Sequence, residues 1–152
     1  MGTVILDSNV ILKYLEGITD IRGILAQNNC TYNDIIASEV EYLVIRSTTD
    51  RGPFEIKRMK EFPPETRTAL WTVYEVFDHL LEYVPIGRDV ILEARKYMER
   101  YALLPNDAII LATATYYEMD GLLTYDSDLL KIGKVKRVRI ATPEEFVRGT
   151  KV

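Results

Sequence analysis

This chain of 152 residues predicts a three-layer α/β/α fold around a mainly parallel sheet, and three observations carry the prediction. Two short apolar runs, Val4-Ile5-Leu6 and Gly121-Leu122-Leu123-Thr124-Tyr125, read as buried strands, and an aspartate follows each, Asp7 and Asp126. Stretches with helical spacing of apolar residues lie between them. One of these, Ala108 to Tyr117, is apolar almost throughout, the pattern of a helix buried on all sides.

Asp7 falls where the first strand gives way to a helix carrying Val10, Ile11 and Leu12, with Ser8 and Asn9 as good N-cap types. In α/β folds that point is the carboxyl edge of the sheet, where ligands bind. Starting the helix is the plainer role open to Asp7. Gly17 breaks the pattern, and Thr19 or Asp20 can cap a helix through Ile21, Ile24 and Leu25. Asn28-Asn29 closes that helix, and Cys30 to Tyr32 read as a short strand.

Asn33 then caps an amphipathic helix from Asp34 to about Arg46, with Ile35, Ile36, Val40, Leu43 and Val44 as its apolar positions. At about 100° per residue, Glu39 falls between Ile35 and Leu43 on that face while Glu41 points the other way. Burying an unpaired carboxylate costs several kcal/mol, so Glu39 needs a cation, either a metal or Arg46 on the same side.

Residues 47–68 are polar and punctuated by Gly52-Pro53 and Pro63-Pro64, with Lys57, Arg58 and Lys60 on a short helix. From about Thr66 a helix spaces Leu70, Tyr74, Phe77 and Leu81 along one stripe. It carries more large apolar side chains than one stripe needs, so Trp71 and Tyr74 are expected in core or self-association. A helix from near Asp89 buries Val90, Ile91, Ala94, Tyr97, Met98 and Tyr101. Asp107 lies in the first turn of the apolar helix, where the helix dipole favours negative charge, yet a buried helix leaves it little room for full exposure. After Asp126-Ser127-Asp128, Lys131, Lys134, Lys136, Arg137 and Arg139 interleave with Val135, Val138 and Ile140 as a strand with a basic outer side. Thr142-Pro143-Glu144-Glu145 is a capping box that opens a short final helix.

Composition narrows the function. The length suits a single domain spanning 1–152 with a sizeable core, and 47% apolar against 28% charged residues is ordinary for a globular protein. No stretch reaches the roughly 18 apolar residues of a membrane span and no basic-then-apolar leader opens the chain, so a cytoplasmic protein is expected. The single cysteine, Cys30, excludes an internal disulfide and a Cys-rich zinc site. The single histidine, His79, excludes a two-imidazole ribonuclease and is read as helix surface. A net charge of −4 argues against nucleic-acid binding by basic charge alone, but divalent cations reverse the local sign at an acidic site.

Asp7, Glu39, Asp107 and Asp126 each begin or interrupt an apolar segment. Carboxylates gathered without histidine or cysteine favour Mg²⁺ or Mn²⁺. Such a site can do phosphoryl chemistry without a protein nucleophile.

Over nearly its whole length the sequence resembles the PIN-domain nucleases. The matching segments are ILDSNVIL with Asp7, SEVEYLVIR with Glu39, LPNDAIILATA with Asp107, and LLTYDSDLL with Asp126. Ser8 and Thr124 match the small hydroxyl residues that support the acids, and Asp128 is an extra acid in reserve. The resemblance implies a PIN-like fold and an Mg²⁺- or Mn²⁺-dependent endoribonuclease. It also implies a VapC-like toxin restrained by an antitoxin, commonly dimeric. Asp7, Asp107 and Asp126 would bind metal, Glu39 would complete the cluster or orient water, and the products would carry 5′-phosphate and 3′-hydroxyl ends. RNA contacts are expected from residues 57–60 and 131–139, Lys136 and Arg137 in particular.

Two rivals stand beside this reading. An aspartate-nucleophile phosphatase also begins with an apolar strand and Asp, but wants an acid where this chain has Asn9. The other is a PIN-like RNA-processing or RNA-binding protein outside a toxin–antitoxin pair; its non-catalytic form, a module that binds RNA or a protein partner, would usually lack one or more of the four acids.

Overall fold

A computed structural model describes residues 2–150 of the predicted domain; Met1, Lys151 and Val152 lie outside the described residues. The chain runs β1 (Gly2–Leu6), α1 (Ser8–Leu15), α2 (Arg22–Gln27), β2 (Asn28–Tyr32), α3 (Asp34–Thr49), α4 (Pro53–Arg58), α5 (Pro64–His79) and β3 (Glu82–Tyr83). It continues through α6 (Arg88–Tyr101), α7 (Pro105–Tyr116), β4 (Gly121–Leu123), α8 (Ser127–Leu130), β5 (Lys134–Val135), β6 (Val138–Ala141) and α9 (Pro143–Thr150).

The strands form one sheet in the order β3-β2-β1-β4-β6-β5, parallel except for the β5–β6 pair. Helices layer onto it in the predicted α/β/α arrangement. The chain leaves β1 towards β2 on one side and returns to β4 on the other. The two central strands therefore flank a topological switch point, and their carboxyl ends open the crevice where such sheets bind ligands.

Val4, Ile5 and Leu6 of β1 and Leu122 and Leu123 of β4 are fully buried. So are Ala108, Ile110, Leu111, Ala112 and Ala114 of α7, the helix read as apolar all round. Gly121 is required by packing: a Cβ there would stand 2.8 Å from the Phe146 ring, where α9 crosses β4. Gly17, at φ +76°, lets the chain turn out of α1 as expected.

Local chemistry explains the boundaries. The Asn33 side chain accepts from Ile36 N–H at 3.0 Å, which starts α3, and Thr142 does the same for Glu145 at 3.1 Å, which starts α9. Helix α3 runs to Thr49 rather than ending near Arg46. Thr48 and Thr49 donate back to the carbonyls of Val44 and Ile45 at 2.8 Å, and Asp50 closes the helix in the left-handed conformation.

Four expectations are corrected. Strand β2 begins at Asn28 rather than Cys30, although Asn28 also caps the end of α2 as expected. The basic segment is a β5–β6 hairpin turning at Lys136 (φ +53°), not one strand. Trp71 is 67% exposed, so it is not core, and the stripe α5 buries is Thr66, Leu70, Val73, Val76 and Phe77. The face α3 buries is Ile36, Val40 and Val44, which leaves Glu39 beside the buried face and Leu43 exposed. His79 is helix surface, 3.3 Å from Glu75. No helix among the described residues is long and apolar enough to cross a membrane.

Candidate active site

Asp7 is 3% exposed and sits at the carboxyl end of β1. Its Oδ1 accepts from the Ser8 N–H at 2.7 Å, so Asp7 itself, rather than Ser8 or Asn9, caps α1. Its Oδ2 accepts from the Thr124 hydroxyl at 2.7 Å. The plain role and the functional one therefore coexist. The cap uses one oxygen, and the other faces the end of β4.

Thr124 ties the two strand ends together. Its hydroxyl donates to Asp7, and its oxygen accepts from the Asp126 N–H at 2.9 Å and from the Asn9 amide at 3.3 Å. That exhausts what a hydroxyl can do. Asn9 closes the loop, accepting from the Tyr125 N–H at 3.1 Å through its Oδ1. Sequence reasoning used Asn9 as a helix cap and against the phosphatase, and missed this role. The one signal was its place two residues after a strand-end aspartate.

Asp107 is the third residue of α7 and is half-buried. Asn106 beside it donates to Glu39 Oε2 at 3.3 Å, linking the start of α7 to the middle of α3. Glu39 forms no ion pair among the described residues, with Arg46 or any other cation. Asp126 caps α8, accepting from the Asp128 N–H at 2.9 Å. The Asp128 carboxylate turns instead to Lys131 at 3.5 Å and is not among the charges acting on Asp7 or Asp107.

Electrostatics draws the other four acids into one group. Burial pushes Asp7 up to about 6 against the hydrogen bonds of Thr124 and Ser8, with Glu39 and Asp126 adding repulsion. Asp107 is pushed up to about 7 by burial, then by the charges of Asp126 and Asp7, a carboxyl–carboxyl hydrogen bond with Asp126, and Glu39. Among the described residues no three of these carboxylates converge into a finished metal cage. Of the three neighbouring acids, Asp126 acts on Asp107 most strongly, then Asp7, then Glu39. An open, all-oxygen set fits Mg²⁺, which keeps several of its waters, and Mn²⁺, and a dication would relieve the repulsion that raises Asp7 and Asp107.

The family model for the PIN domain matches residues 4–135, a span that includes all four acids. The chain belongs to the PIN domain family. Two curated PIN-domain relatives come from Methanocaldococcus jannaschii. Ribonuclease VapC2 is 27% identical over 143 residues, covering 88% of this chain and 91% of the relative. Ribonuclease VapC6 is 39% identical over 119 residues, covering 70% and 74%. Among solved structures, VapBC-5 from Mycobacterium tuberculosis, a member of the VapBC family of toxin–antitoxin systems, matches with a TM-score of 0.61 at 17% identity. It covers 93% of this chain and 99% of that one, which supports the PIN fold.

Proposed function

We propose that this chain is an Mg²⁺- or Mn²⁺-dependent endoribonuclease, the toxin of a toxin–antitoxin pair, with Asp7, Asp107 and Asp126 as metal ligands. The observation that carries the reading is the group of four carboxylates at the switch point of the sheet. Two of its members are held up at about 6 and about 7, and among the described residues no cation pairs with any of the four. The ribonuclease names of both curated relatives support RNA as substrate, and the VapBC likeness supports an antitoxin partner.

A divalent cation bound here would lower the pKa of water and offset charge on the phosphate. The chain's own residues do the rest. Thr124 and Ser8 fix the two oxygens of Asp7, and Asn9 keeps Thr124 and the backbone of Tyr125 in register. Asn106 holds one oxygen of Glu39, which leaves Oε1 to orient the attacking water. Attack on the phosphorus with departure of the 3′-oxygen leaves 5′-phosphate and 3′-hydroxyl ends.

The test is cleavage of single-stranded RNA by the purified chain with Mg²⁺ or Mn²⁺, with chelator, and with Asp107→Asn. Metal-dependent cutting that the substitution abolishes is expected. Cutting that survives both chelator and Asp107→Asn would remove the assignment, and intact binding with no cutting of any RNA would favour an RNA-binding role.

The same proposal includes a single cytoplasmic domain and a homodimer. Trp71 and Tyr74 are exposed and packed edge-to-face at 6.0 Å, an aromatic pair suited to a second copy. Sedimentation as a monomer at micromolar concentration would remove the dimer.

A further inference from the structure

Helix α3 carries more than Glu39 on its outer side. At about 100° per residue, Tyr42, Leu43, Arg46 and Asp50 all fall within roughly 60° of Glu39, on a face beside the buried Ile36, Val40 and Val44. Tyr42 and Leu43 are exposed, and with Ser38, Glu39 and Asn106 they line a cavity of about 340 Å³. Glu39 and Asn106 also line the adjoining cavity of about 430 Å³, which reaches Asp107. Further along, Arg46, Ser47, Asp50, Arg51 and Gly52 line a third cavity of about 400 Å³. Neither guanidinium in it has an ion-pair partner among the described residues.

Arg46 lies seven residues from Glu39, about 10 Å along the helix axis. The order along α3 is therefore acid, exposed aromatic and aliphatic surface, then two uncompensated cations. A nucleic-acid strand needs that order when it leaves a cleavage site: a surface for a base to stack on, then positive charge for the next phosphates. Three of the hairpin cations expected in that role are committed elsewhere. Lys136 contacts Glu93 at 2.5 Å, Arg137 contacts Asp120 at 2.6 Å, and Arg139 donates to the Glu145 carbonyl. Arg137 and Asp120 also sit at the amino end of β4, across the sheet from Asp126.

We infer that the substrate strand runs along α3, with an unpaired base against Tyr42 and Leu43 and flanking phosphates at Arg46 and Arg51. This rests on the nuclease reading, because it takes the acids as the point from which the strand departs.

The experiment measures binding of a short single-stranded RNA by the Asp107→Asn chain across a salt series. Arg46→Gln with Arg51→Gln should flatten the salt dependence by about 0.7 per lost contact, roughly 1.4 in all, and Arg46→Lys with Arg51→Lys should keep it. Tyr42→Ala should weaken binding roughly tenfold at every salt concentration. Lys136→Gln with Arg137→Gln should leave the slope as it was. An unchanged slope in the Arg46/Arg51 glutamine variant, or an equal loss at Lys136 and Arg137, overturns the track. So does a variant that loses a protein partner but keeps its RNA slope. Metal-dependent cleavage by the parent chain is scored separately: cleavage with an indifferent slope removes the track alone, and neither cleavage nor binding removes both readings.

Discussion

The two edges of the central sheet treat the same kind of side chain in opposite ways. At the amino edge Asp120 and Glu93 are each paired with a cation. Asp120 accepts from the Thr3 N–H and from Arg137, which hold it below the usual carboxylate range. Burial pushes Glu93 up, but Lys136 and Thr115 outweigh that and leave it low. At the carboxyl edge Asp7 and Asp107 feel the charges of Asp126 and of Glu39 on α3, and none of the four has an ion-pair partner among the described residues. A chain that pairs acids so carefully at one end does not lack the means to pair them at the other. Unrelieved repulsion inside a well-satisfied fold is the physical ground for placing the proposed active site at this edge.

The largest break of this asymmetry should come from Asp107→Asn. The substitution should abolish RNA cleavage yet raise the melting temperature in chelator, because it removes one of four repelling charges at nearly constant volume. Mn²⁺ should stabilise the parent far more than the variant, since binding to the native state adds stability by mass action. A destabilised, metal-indifferent variant that still cleaves would make Asp107 an ordinary N-terminal acid.

Acid should act on the two edges with opposite sign. Burial pushes the Asp7 carboxyl up from its ordinary value to about 6 in the fold, so between the two values the native state holds more protons than the unfolded chain. Stability of the metal-free chain should therefore rise as pH falls from 7 through 6 towards 4, by on the order of 2–3 kcal/mol from Asp7. Asp120 and Glu93 are held low, so their contribution is lost as pH falls further. A melting temperature that drops steadily from pH 7 to 5 would contradict the carboxyl-edge account.

Thr124→Val tests the hinge of the acidic group. It removes the donor to a buried Asp7 oxygen and the acceptor for the Asp126 N–H, and should cost about 1–3 kcal/mol by denaturant titration. The smallest effect belongs to the amino edge. Lys136→Gln should cost about 0.5–1 kcal/mol, from an ion pair whose cation is largely exposed, with cleavage rates unaltered.

The parts of this site that were legible in the sequence are those fixed by local pattern. Asp7 and Asp126 end apolar strands, Asp107 opens an apolar helix, and Asn33 and Thr142 cap the helices they were expected to cap. What escaped depends on contacts across the sheet. Asn9 matters through Thr124 and Tyr125, more than a hundred residues away. The face of Glu39 was misjudged because a helical wheel centres apolar residues, whereas α5 and α7 pack against Ile36, Val40 and Val44 beside it. Strand β3 is two exposed residues at a sheet edge, too short to show a period. The hairpin at Lys136 hid because alternation of basic and apolar residues looks alike in one strand and in two.

The Asp7–Thr124 hydrogen bond spans 117 residues of sequence and carries a consequence for timing. Until β4 has been synthesised and docked beside β1, Asp7 has neither Thr124 to fix it nor Asp126 to face. A chain stopped before Gly121 thus lacks both partners of Asp7 across the sheet. Assembly of the acidic group therefore waits on the pairing of β1 with β4, a contact of long sequence separation whose loop-closure entropy must be met first.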